Sequence, residues 1–358
     1  MRVVGLIFFL VSSVSAQSWL PLGDFPGSGR DDAASFVLDG GFYVGTGVNG
    51  SFGSEFDFYR LDLQSLLWSQ APSLPADKRR QYASTAVNSQ GQAFLIGGLD
   101  GMLFYDDVWV FSPDLGQWTQ VGTCPFGGRS GMASFVLADT VYVLGGKTSQ
   151  TNNSTEVWAM SMTTFEWIQK RDLPFGGRWR SSAAADGRYG YLTFGRTTGG
   201  GYDAELHRYD PTTDSWETIA TFPESPRVYS SMISQGSSLI LIFGIDREGI
   251  THGDLWSIDL TDMSWSQGNT QLNPPRRGGC AALVLGKLVY TTGIDAQNSR
   301  LVQTHILDLG SGLSEQKFED NKIIARYFDL MGREVSGTTC GWLVEEYSSG
   351  ERKLIFKP

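Results

Sequence analysis

Between Trp118 and Trp167 the chain reads WTQVGTCPFGGRSGMASFVLADTVYVLGGKTSQTNNSTEVWAMSMTTFEW, and the features of this stretch recur along most of the sequence. Tryptophan supplies the ruler: Trp19, Trp68, Trp118, Trp167, Trp216 and Trp265 are separated by 49, 50, 49, 49 and 49 residues. An arginine follows each Trp by about 11 residues (Arg30, Arg79 or Arg80, Arg129, Arg178, Arg227, Arg276). A glycine follows it by 28 or 29 (Gly47, Gly97, Gly146, Gly195, Gly244, Gly293). Ten residues beyond each glycine stands a carboxylate or its amide (Asp57, Asp107, Glu156, Glu205, Asp254, Gln303), and two further on a ring (Tyr59, Trp109, Trp158, His207, Trp256, His305). A fixed period of this length marks a repeat architecture.

Within each unit, short apolar or alternating runs such as Ala133–Leu137, Val141–Leu144 and Val157–Met160 are bounded by Gly, Pro, Asn and Asp. They read as strands, and no segment sustains a 3.6-residue apolar period. Four short strands in about 49 residues make one propeller blade: a lone blade cannot bury both faces of its sheet, and its neighbours in a ring cover them. The strand after each Arg is rich in small residues, as in Ala33-Ala34-Ser35 and Gly278-Gly279-Cys280. That composition suits the crowded axis, so this strand is expected innermost and the Trp strand outermost. No Trp strand follows the sixth unit, which ends near His305-Ile306-Leu307-Asp308. The segment Trp19–Leu22 is therefore expected to complete the last blade beside Thr304–Leu307, closing the ring and removing an open sheet edge.

These columns resemble the kelch family, whose repeat has an Arg before the first strand, a Gly pair closing the second, a Tyr-Asp-like third strand and a Trp opening the fourth. A full Gly pair stands at Gly97-Gly98 and Gly145-Gly146, while Thr46, Phe194, Phe243 and Thr292 replace one member elsewhere. The resemblance covers residues 19 to about 309. It implies an all-β, six-bladed kelch-type β-propeller closed by an N-terminal strand, here followed by a small C-terminal β-hairpin module.

Residues 1–16 read as a secretory signal peptide: Arg2, an apolar run Val3–Val11, then small residues ending Val14-Ser15-Ala16, with cleavage expected after Ala16. The run is shorter than the roughly 20 residues a transmembrane span needs. The propeller is expected over residues 17–309 and a linker, opened by Gly310-Ser311-Gly312, over 310–320. Residues 321–358 read as strand, turn, strand, turn, strand. They resemble the C-terminal sorting domain of type IX secretion cargo in Bacteroidetes, on an apolar strand running into Asp329-Leu330-Met331-Gly332-Arg333 and a final hairpin, although the Pro-Asn-Pro opening of many such domains is missing. The resemblance implies the type IX machinery as a partner and a cell-surface destination.

The net charge of −10 and pI near 4.8 argue against a nucleic-acid binder, which needs clustered Lys and Arg. A monomer is expected. Cys124, Cys280 and Cys340 are too few for a disulfide scaffold. Cys124 and Cys280 fall in blades on opposite sides of the ring, so no bond is expected between them.

Arg and carboxylate columns that recur in every blade read as structural ion pairs within or between blades. Function should break the symmetry. The non-repeated residues beside each Arg are Asp31 with Asp32, Tyr82, Trp179, Arg180, Tyr229 and Arg277. The loop before the inner strand and the loop after the Gly strand open on one face, where Asp31, Tyr82, Trp179, Arg180, Tyr229 and Arg277 form a candidate channel-mouth site for a sugar or a carboxylate-bearing ligand.

Galactose oxidase also uses kelch blades, but its copper site needs paired imidazoles with tyrosine and a modified cysteine. The histidines here are His207, His252 and His305. The first and last occupy the ring column and read as packing residues, and His252 lies alone in the loop Arg247–Gly253. No metal, cofactor or catalytic residue is expected on motif grounds. Two functions stay open. One is a secreted or cell-surface binding or adhesion module that engages a protein or glycan through its loop face. The other is a periplasmic carbohydrate mutarotase, because Phe25-Pro26-Gly27-Ser28-Gly29-Arg30 resembles the opening of the N-acetylneuraminate epimerases, which are also six-bladed kelch proteins.

Overall fold

A computed structural model describes residues 18–149 and 151–309, together with four strands of the C-terminal segment. The expected signal peptide at 1–16, the linker at 310–320 and Cys340 lie outside the described residues. The chain divides into two compact units, Met1–Gly312 and Leu313–Pro358.

The larger unit is a ring of six antiparallel sheets. Blade 1 runs outward through Ala34–Leu38, Gly41–Gly45, Phe58–Asp62 and Trp68–Ala71. Blades 2 to 5 repeat the order, each beginning at its small-residue strand: Ser84–Val87, Ala133–Leu137, Ser182–Ala185 and Ser231–Gln235. Blade 6 takes three strands from Cys280–Val284, Lys287–Thr291 and His305–Asp308 and its outermost from Leu20–Pro21, with Leu20 opposite Ile306 and Pro21 opposite His305. The ring thus closes from the N-terminal side, as the strand count predicts.

Core clusters form between blades as well as within them. Phe36, Tyr43 and Phe58 of blade 1 pack with Phe111 and Trp118 of blade 2, and Phe36 stacks on Tyr43 at 4.9 Å. The Trp period has a geometric cause. Trp68 Nε1 donates to the Gly23 carbonyl at 3.1 Å, Trp118 Nε1 to Pro72 at 3.0 Å and Trp216 Nε1 to Arg171 at 3.3 Å. Each of these three outer strands is thereby tied to the chain that leads out of the preceding outer strand, so the spacing there tolerates little change.

The arginine column is buried, and its carboxylate partners come from the same blade. Arg30 pairs with Asp57 at 2.5 Å, Arg80 with Asp107 at 2.5 Å, Arg227 with Asp254 at 2.6 Å, and Arg129 with Glu156. The structure settles one column position left open and changes three others. Arg80, not Arg79, holds the column position. Asp203 takes the place expected of Glu205, binding Arg178, while Glu205 is exposed. Gln303 supplies only its backbone carbonyl to Arg276, at 3.1 Å. The second-blade glycine is Gly98 and not Gly97, since Gly98 N–H bonds the Arg129 carbonyl as Gly47 N–H bonds that of Arg80. The five-residue turn 88–92 displaces the register there.

The residue before each column glycine has a left-handed backbone: Thr46, Gly97, Gly145, Phe194, Phe243 and Thr292 all lie at φ between 57° and 63°. A side chain there costs about 1–2 kcal/mol relative to glycine. Phe194 and Phe243 offset that cost by full burial in the core.

The smaller unit has strands Ile324–Asp329, Glu334–Val335, Gly341–Tyr347 and Arg352–Lys357, paired antiparallel in the order 334–335, 324–329, 341–347, 352–357. Among the described residues no helix is long and apolar enough to cross a membrane.

Candidate functional site

At each repeated Arg, or at the residue after it, the chain bridges to the segment just past the column glycine, as Arg30–Asp31 does to Val48–Asn49, Arg178–Trp179 to Arg196–Thr197 and Gln81 to Leu99. One residue later the chain turns in toward the axis. The turning residues are Asp32, Tyr82, Gly131, Arg180, Tyr229 and Gly278, all left-handed, with φ between 56° and 63°. Their backbones join into a girdle around the channel. Tyr82 N–H donates to the Asp32 carbonyl, Gly131 to Tyr82, Arg180 to Gly131, Gly278 to Tyr229 and Asp32 to Gly278, at 2.8–3.1 Å. Only glycine adopts this backbone without strain, yet four of the six positions carry Asp, Tyr, Arg and Tyr. Strain at equivalent backbone positions with unlike side chains is a mark of a functional site.

Arg180 is the centre of the mouth. Its guanidinium lies 3.6 Å from the Trp179 ring centroid, 3.9 Å from Tyr229 and 4.7 Å from Tyr82, and it donates to the Tyr82 hydroxyl. Partly desolvated cation–π contacts of this kind are worth up to about 2 kcal/mol each, and they fix the guanidinium before any ligand arrives. The Tyr82 and Tyr229 hydroxyls approach to 3.4 Å. Lys147 Nζ lies 3.8 Å over the other side of the neighbourhood, on the Trp179 ring.

Two carboxylates face this cation. Asp31 is paired with Arg300 Nε at 2.6 Å. The Asp32 carboxyl is pushed up to about 8, first by burial at the throat and then by the charge of Asp31, against the pull of Arg180 and of the Tyr82 hydrogen bond. Burial holds the Tyr82 phenol well above its ordinary value, so it remains a donor. Arg277 reaches the Asp295 carbonyl at 3.4 Å and Asn298 Oδ1 at 3.1 Å.

Together these groups line a cavity of about 500 Å³. Its ionisable side chains are Lys147, Arg180, Arg277 and Arg300 against Asp31 and Asp32, a local positive excess on a chain of net charge −10. On one rim Phe52 is 80% exposed and lies 4.8 Å from the Arg300 guanidinium. Below, the throat narrows to about 300 Å³ between small side chains such as Ala33, Ala83, Ser181 and Ser230.

All six candidate residues, Asp31, Tyr82, Trp179, Arg180, Tyr229 and Arg277, line this one cavity. The girdle acid is Asp32, one residue past Asp31. Lys147, Phe52 and Arg300 stand one, five and seven residues past the glycines of their blades; they escaped the sequence reading because it took candidates only from beside the Arg column. The histidines lie elsewhere. His207 is fully buried, stacked on Phe175 at 3.4 Å and bonded to Asp203 at 2.9 Å and Thr218 at 3.0 Å. With Glu205 these form the one His/acid group of metal-binding geometry among the described residues, but Arg178 already occupies the Asp203 oxygen. His252 is not the solitary loop residue expected: it stands in the strand Thr251–Asp259 and pairs with Asp246 at 2.9 Å. Cys124 and Cys280 are buried free thiols, pushed up to about 12 and about 11 by burial.

Fold and site define a six-bladed kelch-repeat propeller with a cationic, aromatic channel mouth. Comparison with known proteins agrees on the class: residues 122–293 match the KLHDC2/KLHL20/DRC7 Kelch-repeats domain and residues 82–125 the Kelch motif. Among curated proteins the chain is similar to the N-acetylneuraminate epimerase of Haemophilus influenzae (strain PittEE), 29% identical over 143 residues, covering 37% of this chain and 35% of the relative. It is also similar to N-acetylneuraminate epimerase 1 of Escherichia coli O6:H1, 21% identical, covering 39% of this chain and 47% of the relative. The matched stretches thus span less than half the length of these relatives. Among solved structures, that of YjhT superposes with a TM-score of 0.69 at 17% identity, over 79% of this chain and 95% of that one, which is a likeness of fold.

Proposed function

We propose that the channel mouth binds a small anionic ligand of the carboxylated-sugar class, and that the protein acts as an exported binding module presenting this face to glycans. The observation that carries the reading is the Arg180 guanidinium, fixed among Trp179, Tyr229 and Tyr82 at a strained girdle position. A planar guanidinium matches a carboxylate in fork geometry, and the rings around it suit the apolar face of a sugar. The sequence of residues 1–16 and 321–358 supports export, the latter through the type IX route. The test is a glycan array followed by calorimetric titration with N-acetylneuraminate and a neutral hexose. Selective retention of carboxylated sugars is expected, and equal indifference to both would overturn the reading.

A second reading, carbohydrate mutarotation, is favoured by the acid pair and by the similarity to N-acetylneuraminate epimerases. Ring opening of a cyclic sugar needs a base to take the anomeric hydroxyl proton and an acid to protonate the ring oxygen as its bond to the anomeric carbon breaks. Asp31, ion-paired with Arg300, supplies the carboxylate, and the protonated Asp32 supplies the acid. Reclosure on the opposite face returns both protons. An anomerisation rate above the solvent background, lost in Asp32→Asn, would establish this activity.

A further inference from the structure

Blade 6 lacks one component that the other five blades contain. In each of blades 1 to 5 a carboxylate meets the buried column arginine: Asp57, Asp107, Glu156, Asp203 and Asp254. In three of them the same carboxylate also accepts from the ring column. Trp158 Nε1 donates to Glu156 at 3.2 Å, Trp256 Nε1 to Asp254 at 3.0 Å, and His207 Nε2 lies 2.9 Å from Asp203. One acceptor thus satisfies two converging donors.

In blade 6 both groups remain and the acceptor does not. Arg276 is fully buried, and its bonds run only to the carbonyls of Pro274, Thr292 and Gln303. Among the described residues its Nη2 has no partner, and neither does the buried Nδ1 of His305, the ring residue two positions after Gln303. Among the described residues no aromatic ring covers Arg276 as rings cover Arg30, Arg80, Arg129, Arg178 and Arg227. The two side chains are close enough for the Arg276 charge, after burial itself, to depress the His305 pKa, with Asp24 opposing. A buried guanidinium nitrogen without an acceptor costs more than a neutral donor would.

We propose that Arg276 and His305 form a carboxylate-binding site at the seam where the ring closes. The carboxylate occupies the place that Asp254 holds in blade 5, accepting from Arg276 Nη2 and the His305 ring. The Gln303 side chain is exposed at this position and carries no charge to meet the guanidinium. The site is separate from the channel mouth and independent of its function. The carboxylate comes either from a small free acid or from Asp24, an exposed residue of the seam.

The full chain is tested by thermal unfolding in acetate against chloride at equal ionic strength, alongside Gln303→Asp and Asp24→Asn. A saturable rise in Tm with acetate is expected for the native chain. Gln303→Asp should raise Tm by about 2 °C or more and abolish the acetate response, because its own carboxylate fills the site. His305 followed by NMR should titrate at higher pH in acetate than in chloride, since a bound carboxylate favours the imidazolium. An acetate response in Asp24→Asn alone would identify Asp24 as the source. No stabilisation in Gln303→Asp, with no acetate effect on Tm or on His305 in any of the three proteins, would overturn the proposal.

Discussion

Two rings of six equivalent positions lie two residues apart in this molecule, and they obey opposite rules. The outer ring is Arg30, Arg80, Arg129, Arg178, Arg227 and Arg276, one residue type throughout, all buried. The inner ring is Asp32, Tyr82, Gly131, Arg180, Tyr229 and Gly278, one backbone conformation with three different side chains and two glycines. The outer ring ties the second and third strands of each blade together, a task that is the same everywhere. The inner ring faces a single axial cavity, where six copies of one side chain would offer a ligand no distinction between its ends. Repetition therefore marks architecture, and variation at fixed geometry marks recognition.

The same substitution made in each ring is the sharpest way to break this contrast. Arg80→Met strands the nearly buried Asp107 carboxylate, and a loss of about 3–5 kcal/mol is expected in chemical denaturation. Arg180→Met strands no buried carboxylate partner but gives up the cation–π contacts to Trp179, Tyr229 and Tyr82, so a smaller loss of about 1–2 kcal/mol is expected, with binding of N-acetylneuraminate weakened roughly 10- to 100-fold, the loss of about 1.5–3 kcal/mol that a charged hydrogen bond carries. Equal destabilisation by both would erase the distinction between the rings. A smaller cost tests the girdle's backbone. Gly131→Ala places a Cβ at φ 61°, 3.2 Å from the Trp179 ring, and about 1–2 kcal/mol should be lost.

A pH dependence tests the acid of the inner ring. Asp32 in the folded chain holds its proton to about pH 8, whereas an unfolded carboxyl releases it near its ordinary value of 3.8. The folded state then binds more protons across that interval, so its stability declines as pH rises from about 4 to about 8. In Asp32→Asn this component of the slope should vanish, with a Tm above that of the native chain at pH 8. Binding of an anion to the native mouth should also weaken as the pH passes 8, where Asp32 acquires its charge.

How far the sequence reveals each ring follows from what fixes its spacing. The blades are legible because Trp68, Trp118 and Trp216 each reach a carbonyl some 45 residues back, so insertions are confined to a few turns. The one at 88–92 displaces the glycine column onto Gly98. Asp203 takes over from Glu205 because a partner two residues away in the same loop can also reach Arg178, and a column rule cannot express that choice. Tyr82, Arg180 and Tyr229 are legible by offset from the Arg column. Arg300 and Phe52 are not: they stand at regular offsets from the glycine column, but nothing in residue type or spacing marks which positions of the post-glycine loop line the cavity. Nor does a list of residue types show that Asp31 and Asp32 have different partners.

The short pairing of Leu20–Pro21 with His305–Ile306 has a mechanical meaning. The ring is a necklace whose two chain ends meet at this clasp, supported by the bonds from Leu22 N–H to Thr304 and Phe25 N–H to Val302 and flanked by those from Gly293 N–H to Arg30 and Asp32 N–H to Gly278 and by the Asp31–Arg300 pair. A pulling force applied between residues 18 and 309 loads that clasp first, in a peeling direction that breaks its hydrogen bonds one after another. Once it opens, blades 1 and 6 lose a flank at the same moment, and rupture then travels inward from both ends.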